Sequence, residues 1–217
     1  MVKQSELSQD MVLVLLAAGS SRRFQGNKLL YPFQGKPLYR HLTDQIKELS
    51  PEIFTGKVVV TQYEEIAERL GKEGFTVVKN QEPELGISHS IGLAIEKIRS
   101  SAWRETVNET RQNLGSAVCF AVCDQPFLCC ETIEKLIVRW RKSGKGLGCL
   151  GYRGELGNPA VFAAHYLDEL LMLTGDVGGK KIIRRHSDDL FVLDVEDEIE
   201  LWDIDRRTDA VTKKGMF

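Results

Sequence analysis

What most constrains the fold of this chain is an alternation that runs along its length. Short apolar runs that read as strands are separated by segments with helical spacing. Met11–Leu16 is continuously apolar, as expected for a strand buried on both faces. Further strands are expected at Lys57–Thr61, Phe75–Val78, Ala117–Val122, Gly148–Tyr152, Pro159–Phe162 and Leu190–Val195. Pro37 opens a helical stretch to Leu49, with Leu38, Leu42, Ile46 and Leu49 on one face. Helices are also expected at Glu64–Leu70, Ile87–Ile98, Ile133–Trp140, Tyr166–Leu173 and Lys180–Arg185. Strands alternating with helices imply an α/β fold with a mostly parallel sheet and right-handed crossovers. Sheets of this kind bind ligands in the loops that follow the carboxyl ends of their strands.

Length and charge narrow the function classes. At 217 residues the chain suits one domain over 1–217. Residues 1–10 are expected to be loosely ordered, and the polar stretch Ser100–Gly115 to be an extended loop or a helix extension. The formal net charge of −2 gives no global basic field for nucleic acid or an anionic membrane. No apolar run reaches the roughly 18 residues that span a bilayer, so a cytoplasmic protein is expected. The five cysteines are an odd count for a disulfide scaffold. Cys119 and Cys123 fall on one strand, about 13 Å apart at strand rise, too far to share a zinc. None of the four histidines pairs at metal-ligand spacing. His41 and His165 are expected to be structural or exposed, and His89 is a candidate for a phosphate or base contact. Trp103, Trp140 and Trp202 are expected to be packing residues.

Two segments carry chemistry. The first is the loop Leu16-Ala17-Ala18-Gly19-Ser20-Ser21-Arg22-Arg23-Phe24-Gln25-Gly26-Asn27-Lys28, which follows the first strand. Ala and Gly let backbone N–H groups approach phosphate oxygens, and Arg and Lys add charge-assisted donors. It matches neither G-x-x-x-x-G-K-[ST] nor G-x-G-x-x-G. Gly144, Gly146 and Gly148 lie between a helix and a strand and are assigned to a turn. The second segment is Ala121-Val122-Cys123-Asp124-Gln125-Pro126, where an apolar strand runs into a carboxylate. Mg²⁺ favours one or two protein carboxylates plus substrate phosphates and water, a role that suits Asp124.

These residues resemble a known family. Leu16-Ala17-Ala18-Gly19 with Ser21, Arg23 and Lys28 is similar to the L-A-A-G-x-S-x-R-M-G-x-x-K signature of the MobA-like NTP transferases. Asn80 to Ser90, Asp124-Gln125-Pro126, Gly157-Asn158-Pro159, Thr174-Gly175-Asp176-Val177-Gly178 and Asp203-Ile204-Asp205 resemble further motifs of that superfamily, in order. Leu-Ala-Ala-Gly together with T-G-D-x-G points to its molybdenum cofactor cytidylyltransferases. The chain departs from the pattern at Phe24, Gln25, Gln81, Asn158 and Arg206-Arg207-Thr208.

The resemblance implies a three-layer α/β/α, Rossmann-like fold of the nucleotide-diphospho-sugar transferase type. It implies transfer of CMP from CTP to a molybdopterin-type acceptor, with Mg²⁺ as cofactor and transient contact with a molybdenum hydroxylase. The nucleotide would lie on Leu16, Ala17, Ala18, Gly19, Ser20 and Ser21, beside Asn80, Gly86 and Ser90. Arg23 would neutralise the departing pyrophosphate and Lys28 the α-phosphate. Asp124 would hold the metal, with Asp205 as a second ligand. The acceptor would enter near Gly157, Asn158 and Pro159 and near Gly175, Asp176 and Gly178, and Asp176 is also suited to capping a helix that begins near Gly178. Three alternatives stay open: a GTP-dependent guanylyltransferase, a sugar-phosphate nucleotidyltransferase, and a non-catalytic chaperone that holds a pterin dinucleotide for a molybdenum hydroxylase.

Overall fold

The computed structural model describes residues 10–19, 21, 23–24, 26–100 and 117–209. Ser20, Gln25, Trp103 and the expectations for residues 1–9 and 101–115 lie outside the described residues. A seven-stranded sheet has the order β5-β4-β1-β6-β8-β7-β9. The strands are β1 (Met11–Ala17), β4 (Gly56–Thr61), β5 (Thr76–Lys79), β6 (Ala117–Val122), β7 (Leu147–Tyr152), β8 (Glu155–Ala163) and β9 (Leu190–Asp194). β1 pairs in parallel with β4 and β6, β4 with β5, and β7 with β9. β8 runs antiparallel between β6 and β7.

The central strand shows why the fold has three layers. Met11, Leu13 and Leu15 pack into one core with α1 (Leu38–Glu48), α2 (Glu64–Lys72) and α4 (Cys130–Ser143). Val12 and Val14 pack into the other, with α3 (Ile87–Arg99), α5 (Leu167–Leu171) and α6 (Lys180–Arg185). Side chains alternate across a strand, so a run apolar at every position must be covered on both faces. Leu42 and Ile46 of α1 and Ile91 and Ile95 of α3 are all buried, at helical spacing. Each such side chain contributes about 1.5–3 kcal/mol by leaving water.

The seven expected strands and six expected helices are present, Ala117–Val122 and Lys180–Arg185 at the expected bounds and the others with shifted ends. Phe75 precedes β5, and β8 begins at Glu155, four residues before Pro159. A two-stranded ribbon, β2 (Pro32–Phe33) with β3 (Lys36–Pro37), was not expected, because two-residue strands carry no periodicity. Pro37 belongs to this ribbon and serves as the N-cap of α1. Gly144 ends α4 in the left-handed conformation, whereas Gly148 lies within β7 against the Trp140 ring. Cys119, Cys123 and Cys149 are buried and Cys129 is exposed; all five cysteines are free thiols. Among the described residues no helix is long and apolar enough to cross a membrane.

Candidate active site

β1 and β6 lie side by side and in register, Leu16 against Val122. The loop after β1 and Asp124 after β6 therefore emerge at the same sheet edge. The loop is pinned from the end of β4. Thr61 Oγ1 donates to Ala17 O at 3.0 Å, Gln62 Nε2 to Ala18 O at 2.8 Å and the Tyr63 hydroxyl to Gly19 O at 2.9 Å. Three consecutive carbonyls are thereby satisfied, and the loop backbone has a defined path.

A first cleft of about 190 Å³ opens here. Leu16, Ala18, Gly19, Ser21 and Lys28 form one wall, and Gly86, Ile87 and Ser90 at the start of α3 form the other. Gly86 has φ of 87°, and a Cβ there would lie 2.4 Å from the Gly175 carbonyl carbon. Only glycine accommodates both the conformation and the approach. Ser88 N donates to Gly175 O at 3.2 Å, which docks the 175–176 turn on α3. Asp176 lines this cleft.

The floor is charged. Lys28 Nζ lies 2.7 Å from Asp124 Oδ2 and 3.1 Å from Asp205 Oδ1. Burial alone would lower the Lys28 pKa, but Asp124 and Asp205 outweigh it and hold the ammonium above its ordinary value. Arg23, with its side chain 74% exposed, approaches Asp205 at 3.8 Å. Asp203 is exposed at its surface, yet partial desolvation, reinforced by the charges of Asp124 and Asp205, pushes its carboxyl up to about 6. Asp124 Oδ1 is buried without a hydrogen-bond partner among the described residues. An unpaired buried carboxylate oxygen is costly, and a cation is what would satisfy it.

A second cleft of about 360 Å³ adjoins the first. Asp124 lines the first cleft and the next residue, Gln125, lines the second. Gly157, Asn158, Lys180, Trp202 and Asp203 contribute to it. A Cβ on Gly157 would meet the Leu201 side chain at 2.8 Å. The Asn158–Pro159 peptide bond is cis. Two adjacent clefts with a cationic and acidic junction can hold two anionic substrates end to end.

Residues 13–190 match the model of the MobA-like NTP transferase domain. The chain belongs to this family. A bifunctional GlmU protein of Geobacillus thermodenitrificans is 31% identical over 133 residues, covering 60% of this chain and 26% of that protein. The chain spans about a quarter of the length of that relative. Rv0371c from Mycobacterium tuberculosis H37Rv has the same fold, with TM-score 0.72 and 19% identity over 96% of this chain and 100% of that one. A second structure of Rv0371c is a complex with manganese, with TM-score 0.64 and 20% identity over 86% and 88% of the two chains. The molybdopterin-guanine dinucleotide biosynthesis protein A of Archaeoglobus fulgidus superposes with TM-score 0.65 at 18% identity, over 95% and 98%.

The MobA-like fold brings most of the expected residues together and separates a few. Leu16, Ala18, Gly19, Ser21, Lys28, Gly86, Ser90 and Asp124 share the first cleft. Ala17 is buried in β1 and does not line that cleft. Asn80, expected beside the nucleotide, is 1% exposed behind it. Its amide donates to Ser90 Oγ at 2.9 Å and its carbonyl accepts from Glu82 N at 2.9 Å, so it positions Ser90. Gly157 and Asn158 line the second cleft, whereas Asp176 is in the first. Gly178 faces Ile87 of α3. Asp176 does not cap a helix: α6 begins at Lys180, with Gly179 as N-cap and no side-chain cap bond. His89 lines a separate groove with Leu93 and Leu173 rather than the first cleft. Trp202 lines the second cleft instead of a core. Sequence reasoning singled out neither Gln62 and Tyr63, which pin the loop, nor Lys180 in the second cleft. No signal short of the strand order could have found them.

Proposed function

We propose that this chain is a nucleotidyltransferase that moves CMP from CTP to the phosphate of a molybdopterin-type acceptor. The observation that carries the reading is Lys28, bridging Asp124 and Asp205 at the junction of two clefts. One cleft is of the right kind for a nucleoside triphosphate, the other for its acceptor. An acceptor phosphate oxygen attacks the α-phosphorus in line. The bond to the β-phosphate oxygen breaks, and its electron pair leaves with pyrophosphate. The protein's contribution is positioning and charge neutralisation.

Ala18, Gly19 and Ser21 hold the triphosphate on the pinned loop, and Ser20 belongs to the same stretch of chain. Lys28 neutralises the α-phosphate, where charge rises in the transition state, and Arg23 the departing pyrophosphate. Ser90, set by Asn80, offers a hydroxyl to the base or ribose. Among the described residues no three His, Cys, Asp or Glu side chains are grouped to hold a metal by themselves. The donor set instead suits Mg²⁺ or Mn²⁺ held by Asp124, with Asp205 second, and completed by phosphate oxygens and water. Asp124 Oδ1 is free for that bond. When bound, the ion would supply further charge neutralisation on the phosphates.

The test is pyrophosphate release from each of the four NTPs with Mg²⁺ and a molybdopterin-type acceptor. Release with CTP, lost in Asp124→Asn, supports the reading. Release with GTP alone moves the assignment to guanylyl transfer. No release with any NTP, while nucleotide still raises the melting temperature, leaves the binding chaperone.

A further inference from the structure

The second cleft holds a feature that nucleotide binding does not use. Its two cations, Arg153 and Lys180, make no side-chain hydrogen bond or ion pair with any described residue, although Glu155, Glu198 and Asp203 line the same cleft. Other cations of the molecule are tied up by carboxylates: Lys36, Arg40, Lys47, Arg69 and Arg185 all close ion pairs. Lys180 lines the second cleft together with Gln125, the neighbour of Asp124 in the first, and therefore stands on the acceptor side of the junction.

Arg153 is placed at a conformational cost. Tyr152 pairs with Glu155, so Arg153 and Gly154 form the two-residue turn of the β7–β8 hairpin. Both have positive φ, 48° and 88°. The first position of such a turn favours Asn, Asp or Gly, and a long side chain there is strained. Its guanidinium lies over the Tyr152 ring, 5.1 Å from the centroid, which holds it at the cleft. A third observation also points to a ligand. Gln125 is 2% exposed, its amide donates to Leu201 O at 3.2 Å, and its Oε1 has no donor among the described residues.

We propose that Arg153 and Lys180 form the acceptor-phosphate subsite, selecting a phosphate monoester carried on a planar, N–H-bearing ring. This rests on the nucleotidyl-transfer reading for its place in the reaction, but not for the binding itself. A guanidinium and an ammonium with no hydrogen-bond or ion-pair partner among the described residues bind a dianionic phosphate through charge-assisted hydrogen bonds. Trp202 offers an aromatic face to the ring. Gln125 Oε1 and the three carboxylates accept its N–H donors, and they also disfavour an anion held away from the two cations.

The probe is phenyl phosphate, titrated calorimetrically into the full chain with and without saturating CMP. Wild type is expected to bind it equally in both conditions, with phenol failing to compete. Arg153→Met and Lys180→Met each weaken it by about tenfold or more, with CMP affinity and melting curves unchanged. Lys180→Arg keeps affinity within about threefold. The proposal is overturned if wild type does not bind the probe, if CMP displaces it, or if both Met variants bind like wild type. If the Met variants lose the probe while wild type releases no pyrophosphate with any NTP, the subsite stands and the nucleotidyl-transfer reading falls.

Discussion

Two charge networks in this molecule use the same residue types to opposite ends. On the helix side, Glu73 accepts from Arg40 at 2.9 and 3.0 Å, from Arg69 at 2.7 Å and pairs with Lys47 at 3.1 Å, and Asp44 pairs with Lys36 at 2.7 Å. Four cations surround two carboxylates. Burial would raise the Glu73 carboxyl, but Lys47, Arg40 and Arg69 together hold it below its ordinary value. At the sheet edge the balance reverses. Asp124 and Asp205 share Lys28, Arg23 approaches Asp205 at 3.8 Å, Asp124 Oδ1 is unpartnered among the described residues, and Asp203 is pushed up. The first network is complete in itself and ties α1 to the end of α2. The second is short of positive charge, the condition expected where a cation or its phosphate ligands must enter.

The widest gap between the two should appear on neutralising one carboxylate in each. Asp124→Asn is expected to cut pyrophosphate release by about 10²–10³-fold, the scale of losing one electrostatic element of a transition state. Its melting temperature should hold, because the lost charge was only partly compensated. A variant that unfolds instead would make Asp124 structural and erase the contrast.

Glu73→Ala should do the converse. With its side chain only 14% exposed, it is expected to cost about 1–3 kcal/mol in urea unfolding, between the values for exposed and buried pairs. Turnover of the folded variant should match wild type. The pH dependence sharpens the point. A carboxyl with a depressed folded pKa stabilises above its unfolded pKa, and that contribution is lost as pH falls through the folded value. Wild type should therefore lose its advantage over Glu73→Gln below about pH 4.5, measured by unfolding from pH 7 to 3. An advantage that persists unchanged at pH 3 would mean that packing, not charge, carries the Glu73 contribution.

The smallest effect concerns the loop that feeds the open network. Tyr63→Phe removes the hydrogen bond donated to Gly19 O and the long one, 3.5 Å, accepted from Gln62 Nε2. Nucleotide affinity should weaken by about 1 kcal/mol or less, with little change in melting temperature. An unchanged nucleotide Kd would show that Gln62 and Thr61 suffice to pin the loop.

The legibility of the fold varied with how local its cause is. Met11–Leu16 reads as a doubly buried strand because burial on both faces demands an apolar residue at every position, and Leu42 and Ile46 read as a helix face for the same kind of reason. The β2–β3 ribbon was invisible, being too short to repeat a pattern. In the site, Lys28 and Asp124 were legible as motif residues. Asn80 was legible too, but not its role, because only the packing of α3 against the end of β5 turns its amide toward Ser90.

The sequence by itself determined the seven strands, the covering helices, and the two segments of glycine, base and acid on which the chemistry rests. Each follows from the period at which side chains return to one face, or from what a loop's backbone and charges can donate. The tertiary structure alone decided which of these meet. Lys28 reaches Asp124 across 96 residues and Asp205 across 177. Those contacts depend on β6 lying beside β1 and on the chain returning to that edge after β9. No local periodicity encodes strand order, since any neighbour of suitable apolarity would cover the same face. The division into two clefts has the same origin: Asp124 and Gln125 are adjacent in sequence, and only the packing of the 198–205 segment against β8 places them on different sides of the junction.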